Sequence, residues 1–145
     1  MTAAPSLPGD RTPREQVARM IRVDHAGEYG AKRIYQGQLA ILGSGPKGDV
    51  IRHMQAQEQH HLDTFGALIV QRRVRPSALL PFWHVAGFAL GAATALLGER
   101  AAMACTVAVE EAIDEHYARQ AAALGEDEAP LRDTIEAFRA EELEH

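Results

Sequence analysis

Apolar residues recur along this chain at spacings of three and four and nowhere alternate as a half-buried strand requires, so the pattern predicts helices throughout. The first begins at Thr12-Pro13-Arg14-Glu15, where a capping hydroxyl, a proline at the first helical position and a glutamate three after the cap mark a start. It runs through Val17, Met20, Ile21, Ile34, Leu39 and Leu42 to the break at Gly43-Ser44-Gly45-Pro46-Lys47-Gly48. Gly27, Gly30 and Gly37 lower its intrinsic propensity, so packing must hold it together. A second helix, capped near Asp49, carries Ile51, Met54, His61, Leu62, Phe65, Leu68 and Ile69 at helical spacing and stops before Arg75-Pro76. A third runs from about Glu99 through Val107, Val109, Ile113 and Tyr117 to Leu124, with Gly125 as terminator. After the acidic turn Glu126-Asp127-Glu128, Pro130 opens a last helix that carries Leu131, Ile135, Phe138 and Leu143 to His145.

Between the second and third helices, Ser77 to Gly98 holds 22 residues without a formal charge. Length alone permits a membrane span. Pro81 and His84 inside it, dilution by Gly and Ala, and aromatic residues near one end only rank a span below interfacial or core packing.

Composition narrows the function classes. At 145 residues the chain fits one domain with a real core. Its net charge of −5 and scattered basic residues, Arg72, Arg73 and Arg75 apart, leave no nucleic-acid footprint. The single cysteine, Cys105, excludes an intrachain disulfide and cysteine-based metal sites, and is expected to be a small buried apolar residue. Residues 1–11 lack the basic-then-apolar pattern of a secretion signal and are expected to be a disordered lead-in to a domain over 12–145.

The candidate chemistry lies in two Glu-x-x-His pairs, Glu58/His61 and Glu142/His145. Residues three apart on a helix share a face, so each pair can aim a carboxylate and an imidazole at one point. With 20 acidic residues and seven histidines a single copy carries little. Here each copy is preceded by a glutamate on the helix before it: Glu28 lies 30 residues before Glu58, and Glu110 lies 32 before Glu142. At about 1.5 Å rise per residue, each antiparallel hairpin brings its glutamate close to the level of its Glu-x-x-His. The hairpins themselves meet only if the apolar stretch returns along the bundle, since one straight helix from Pro76 would carry Glu110 past Glu58 by roughly 25 Å. The fold expected is therefore all-α: a ferritin-like four-helix bundle of two hairpins joined by a long apolar crossover over about 77–98.

One glutamate from each of two helices plus Glu-x-x-His from each of the other two is the ligand pattern of ferritin-like di-iron and di-manganese carboxylate proteins. Four carboxylates balance two divalent cations, and two imidazoles favour iron over calcium or magnesium. Spacing alone leaves Glu110 against Glu111, and Glu141 against Glu142, open. His25, beside Asp24, and His60 are expected to pack as polar groups or to orient ligands, and His53 and His84 carry no signal.

Several blocks extend well beyond these pairs: Arg22-Val23-Asp24-His25-Ala26-Gly27-Glu28-Tyr29-Gly30-Ala31, Arg73-Val74-Arg75-Pro76, Gly87-Phe88-Ala89-Leu90-Gly91-Ala92, Ala104-Cys105-Thr106-Val107-Ala108-Val109-Glu110-Glu111 and Phe138-Arg139-Ala140-Glu141-Glu142-Leu143-Glu144-His145. From about Arg19 to His145 the chain closely resembles the demethoxyubiquinone hydroxylase family of ferritin-like di-iron proteins. The resemblance implies six iron ligands, Glu28, Glu58, His61, Glu110, Glu142 and His145, and a role in electron delivery for His116 and Tyr117. It implies a two-iron mono-oxygenase that hydroxylates a polyprenylated demethoxyubiquinol with O2 and NADH-derived electrons. No dinucleotide fingerprint is present, so any NADH contact is expected at the surface or through a partner. The prenyl tail implies peripheral attachment between Leu79 and Leu97 to the cytoplasmic side of a cell inner membrane, or the matrix side of the mitochondrial one, and ubiquinone-synthesis proteins as partners. Family members continue past the last Glu-x-x-His, so truncation at the carboxyl end is expected. The alternatives are a ferritin-like ferroxidase or peroxidase and a non-catalytic lipid-binding scaffold.

Overall fold

The computed structural model describes residues 7–142; residues 1–6 of the expected lead-in, and 143–145 with the expected ligand His145, lie outside the described residues. Five helices follow in order: α1 Pro13–Leu42, α2 Gly48–Gln71, α3 Leu80–Leu96, α4 Glu99–Ala123 and α5 Ala129–Glu142, with a 3-10 turn over Glu126–Glu128 before α5. The described residues contain no strand. Residues 7–10 of the lead-in form a turn, with the Leu7 amide donating to Asp10 Oδ2 at 2.7 Å.

Helix starts follow local chemistry where the sequence supplies it. The Thr12 hydroxyl accepts from the Glu15 amide at 3.2 Å, as a capping residue should. Asp49 does not cap α2: the helix starts at Gly48, and Asp49 sits in its first turn, paired with Arg52 at 2.9 Å. Gly125 does not close α4 through a left-handed conformation either. Its φ is −96°, and Leu124 has already left the helix with extended backbone.

The apolar stretch is where the structure adds most to the pattern. It forms α3, parallel to α1 and lying along it, before the chain turns at Gly98, whose φ of +117° suits glycine. Seventeen residues of helix advance about 25 Å, the return the crossover requires. Glycines on both helices allow their backbones to touch. A Cβ on Gly91 would lie 1.9 Å from the Ile34 carbonyl oxygen, and one on Gly37 would lie 2.2 Å from that of Phe88. Gly37, which weakens α1 as a lone helix, is thus required where α3 crosses it. His84, silent in the sequence, latches the same contact: its Nδ1 meets the Tyr29 hydroxyl at 2.6 Å and its carbonyl accepts from Arg33 Nε at 2.7 Å. Among the described residues no helix is long and apolar enough to cross a membrane.

Two buried clusters form the core. Ile21, Phe65, Tyr117, Leu131, Ile135 and Phe138 fill one end, and Ala31, Ile34, Tyr35, Ile51 and Met54 the other. Along α1, Glu28 falls between the two clusters; along α2, Glu58 and His61 do.

Gly91→Ala is expected to destabilise the protein by about 1–3 kcal/mol through overpacking. Gly66→Ala, where a Cβ meets nothing within 4 Å, should stabilise α2 by about 0.5–1 kcal/mol. Urea midpoints of the two variants check the pair; equal effects would remove the close-approach account of the α1–α3 contact.

Candidate metal centre

Four side chains meet between the core clusters. Glu28 of α1, Glu58 and His61 of α2 and Glu142 of α5 each offer a ligand atom within 4.8 Å of the others, a spacing that can hold a metal ion. All four are buried, and Glu58 and His61 have no exposure at all. Helical spacing explains the α2 pair, because positions 58 and 61 stack on the face that also buries Met54 and Phe65. Glu142 lies on the α5 stripe of Leu131, Ile135 and Phe138.

The charge of this group is not balanced by protein. Both oxygens of Glu58 and of Glu142, Oε2 of Glu28 and Nδ1 of His61 have no hydrogen-bond partner among the described residues. His61 Nδ1 faces three carboxylates, Glu142 at 3.4 Å and Glu28 and Glu58 at 3.7 Å each, too far for good hydrogen bonds. Burial, reinforced by Glu28 beside it, pushes the Glu58 carboxyl up to about 10. Burial pulls the His61 imidazole down, but Glu142, Glu28 and Glu58 outweigh it and raise the ring to about 12. Such a set of oxygens and one imidazole nitrogen fits a divalent cation, which would supply the missing positive charge.

Neighbouring groups hold the set in place. The His61 ring stacks on Phe138 with centroids 3.9 Å apart, and its Nε2 donates to Glu141 Oε2 at 2.5 Å, which leaves Nδ1 aimed into the cluster. Glu142 is thus the α5 carboxylate inside the group, while Glu141 reaches the far side of the His61 ring. Spacing had offered these two only as competitors. Glu110 is buried and Glu111 exposed. Glu110 Oε1 accepts from the Tyr35 hydroxyl at 2.6 Å, and Glu110 stands outside the four-residue group. Tyr117 donates to Glu28 Oε1, whereas His116 is exposed, with Nδ1 on the Ala112 carbonyl at 3.0 Å.

Asp24 accepts from Gln120 Nε2 at 2.7 Å, and burial pushes its carboxyl up to about 8. His60 is exposed and packs edge-on against Phe138, outside the cluster.

Residue types and spacing do not single out Tyr35, Gln38 and Gln120, and Tyr117 enters only through the family resemblance, although a signal for all four exists. On α1 and α4, positions 24, 28, 35 and 38 recur 82 residues later as 106, 110, 117 and 120, and the glutamate, tyrosine and glutamine are identical in both copies. The two helices run antiparallel, so each tyrosine reaches the opposite helix's glutamate and each glutamine the residue four before it. Gln38 Nε2 thus lies 3.4 Å from Thr106 Oγ1, as Gln120 lies on Asp24.

A family model for ubiquinone biosynthesis protein COQ7 matches residues 15–145. The chain belongs to that family. It is 62% identical over 145 residues to a 3-demethoxyubiquinol 3-hydroxylase of Rhodospirillum rubrum, covering 99% of this chain and 68% of that one. It is 58% identical to the mitochondrial NADPH-dependent 3-demethoxyubiquinone 3-hydroxylase of Bos taurus, covering 94% of this chain and 64% of the relative. With the mitochondrial 5-demethoxyubiquinone hydroxylase of Saccharomyces cerevisiae it shares 44%, over 88% of this chain and 62% of the relative. The chain therefore spans about two thirds of the length of these relatives of the COQ7 family.

Glu58→Gln should expose the tension in the metal-free protein. A carboxyl raised by folding is protonated in both states below its unfolded pKa of about 4.5; above that value the unfolded chain ionises first, so stability falls as pH rises toward the folded value of about 10. The variant is therefore expected to match the parent near pH 4 and to exceed it by about 2–4 kcal/mol at pH 8. Denaturant melts of chelator-treated protein at both pH values check this; no gain at pH 8 would show that the cluster is not strained by its own charge.

Proposed function

We propose that this cluster is a two-iron centre and that the protein uses it to hydroxylate a polyprenylated demethoxyubiquinol with O2. The observation that carries the proposal is a buried cluster of carboxylate oxygens without hydrogen-bond partners, one member of which, Glu28, also lines an apolar cavity of about 490 Å3. Glu28 and Tyr117 lie in its wall, together with Val23, Ile34, Trp83, Val109 and Ile113. Glu28, Glu58, His61, Glu110 and Glu142 are the proposed ligands among the described residues, and His145 is the sixth by its place in the second Glu-x-x-His. Four carboxylates offset the charge of two Fe(II), and imidazole favours iron over magnesium or calcium.

Iron, when bound, supplies the activation of dioxygen. The protein's own residues do the rest. The apolar wall takes the quinol ring and excludes water. Tyr117, kept protonated by burial and by Glu28, holds a proton at the boundary between cavity and cluster. Glu141 fixes the His61 ring. In the balanced reaction one oxygen atom enters a ring C–H bond and the other leaves as water, with two electrons and two protons from outside.

A reduced nicotinamide nucleotide is the proposed electron source. NADH is the expected form, and the names of the mammalian relatives carry NADPH. A second cavity of about 500 Å3 suits its phosphates, being lined by Arg11, Arg19 and Arg119, and it includes His116, the neighbour of Tyr117. Substrate delivery is proposed from a membrane surface, at an inner membrane with other ubiquinone-synthesis proteins near it. On α3, Phe82, Trp83, Val85, Leu90 and Leu96 are exposed large apolar side chains, and Trp83 also lines the substrate cavity.

Protein loaded anaerobically with two equivalents of Fe(II), given a short-chain demethoxyquinol and then O2, should release a hydroxylated quinol. Bound iron with oxygen consumed and no product would favour the ferroxidase alternative. Trp83, the sole tryptophan, should shift its emission to the blue when anionic phospholipid vesicles are added. Phe82→Ser with Val85→Ser should lower partitioning by about tenfold or more; unchanged binding would sink the α3 attachment.

A further inference from the structure

Tyr35 has no part in the function so far described, yet it repeats the arrangement of Tyr117. Each tyrosine follows its own helix's glutamate by seven positions, and each donates to the glutamate of the other helix. The surroundings differ. Tyr117 lines the apolar cavity, whereas Tyr35 is fully buried among Ala31, Ile34, Ile51 and Met54 and lines no part of it. A buried phenol requires an acceptor, and a backbone carbonyl would have served. Here the acceptor is a carboxylate oxygen in both copies, contributed by a glutamate on the neighbouring helix.

We propose that Tyr35 is a positioning residue that ties up Oε1 of Glu110, so that this glutamate presents a bound metal with one oxygen instead of two. A carboxylate can bind a metal through one oxygen or both, and an oxygen engaged by a strong donor is a poorer ligand. Single-oxygen binding by Glu110 leaves a coordination position for other ligands. Tyr117 acts in the same way on Glu28 but stands where substrate also touches it. Tyr35 therefore isolates the effect on the metal from any effect on the quinol. The inference rests on the proposed metal centre.

Cobalt(II) alone is the probe, because its visible absorption weakens as its coordination number rises. Wild-type protein should bind Co(II) and show the band. Tyr35→Phe keeps the buried ring and should bind the same number of ions, while the freed oxygen joins the metal and the band per cobalt falls by about twofold. In the iron-loaded enzyme the same variant should lower kcat and leave the quinol KM unchanged. Replacement of Tyr35 by 4-aminophenylalanine, which keeps a donor at the same place, should restore the full band. An unchanged band in Tyr35→Phe would overturn the role of Tyr35 and leave the metal centre standing. If Tyr35→Phe fails to fold, a weakened band in the aminophenylalanine protein would overturn it equally. Failure of the wild type to bind cobalt would remove the metal centre, and this inference with it.

Discussion

Everything in this bundle answers to carboxylates that are buried together. Glu28, Glu58 and Glu142 have almost no exposure, and one imidazole stands among them. Burying a carboxylate is expensive unless it is paired, and pairing three with a single His61 leaves negative charge over. Such a cluster persists only where the surrounding packing overrides it. The two apolar clusters supply that packing from both ends, and the Arg72–Glu128 pair at 2.6 Å ties the end of α2 to the turn before α5. A bound metal ion would reverse the electrostatic sign of the arrangement, so the strain of the cluster on its own is the counterpart of the affinity it would offer.

Much of this was legible in the sequence because the cluster is built by helical spacing. Glu58 with His61, and the levels of Glu28 and Glu110 within their hairpins, depend only on rise per residue and on where helices stop. The crossover was legible for the same reason: chain length demanded a return, and an uncharged stretch of the right size stood in the right place. Glycine read differently from its role. Propensity marks Gly37 as a weakness in α1, but the carbonyl of Phe88 occupies the space its side chain would need. That requirement belongs to a second helix and has no trace in the periodicity of the first.

The partners of the ligands were the part least visible. Tyr35 on Glu110 and Gln120 on Asp24 join residues 75 and 96 positions apart, and no local pattern announces such contacts. Only the recurrence of glutamate, tyrosine and glutamine at a fixed offset between α1 and α4 does so. Glu141 is hidden for another reason: spacing sets it against Glu142 as a rival, whereas helical geometry lets adjacent glutamates serve opposite sides of one imidazole ring. The disposition of His145 lies outside the described residues, and that half of the centre rests on the repeat.

The tyrosine–glutamate contacts of α1 and α4 are related by a near two-fold repeat and have no built-in direction, whereas the proposed reaction with a quinol needs one. Here α3 provides the asymmetry. Lying along α1, it contributes Trp83, with Leu79 just before its first turn, to the wall of a cavity that reaches Tyr117, and it offers Phe82 and Val85 outward. The equivalent tyrosine, Tyr35, faces Ile51 and Met54 and meets no such opening. One copy of a repeated tyrosine–glutamate contact thus borders the apolar cavity while the other is enclosed in the core. The apolarity of the crossover, its glycines and its exposed aromatic end follow from a single placement: a helix that must touch α1 by its backbone, close one side of the bundle and carry apolar side chains on its remaining, exposed face.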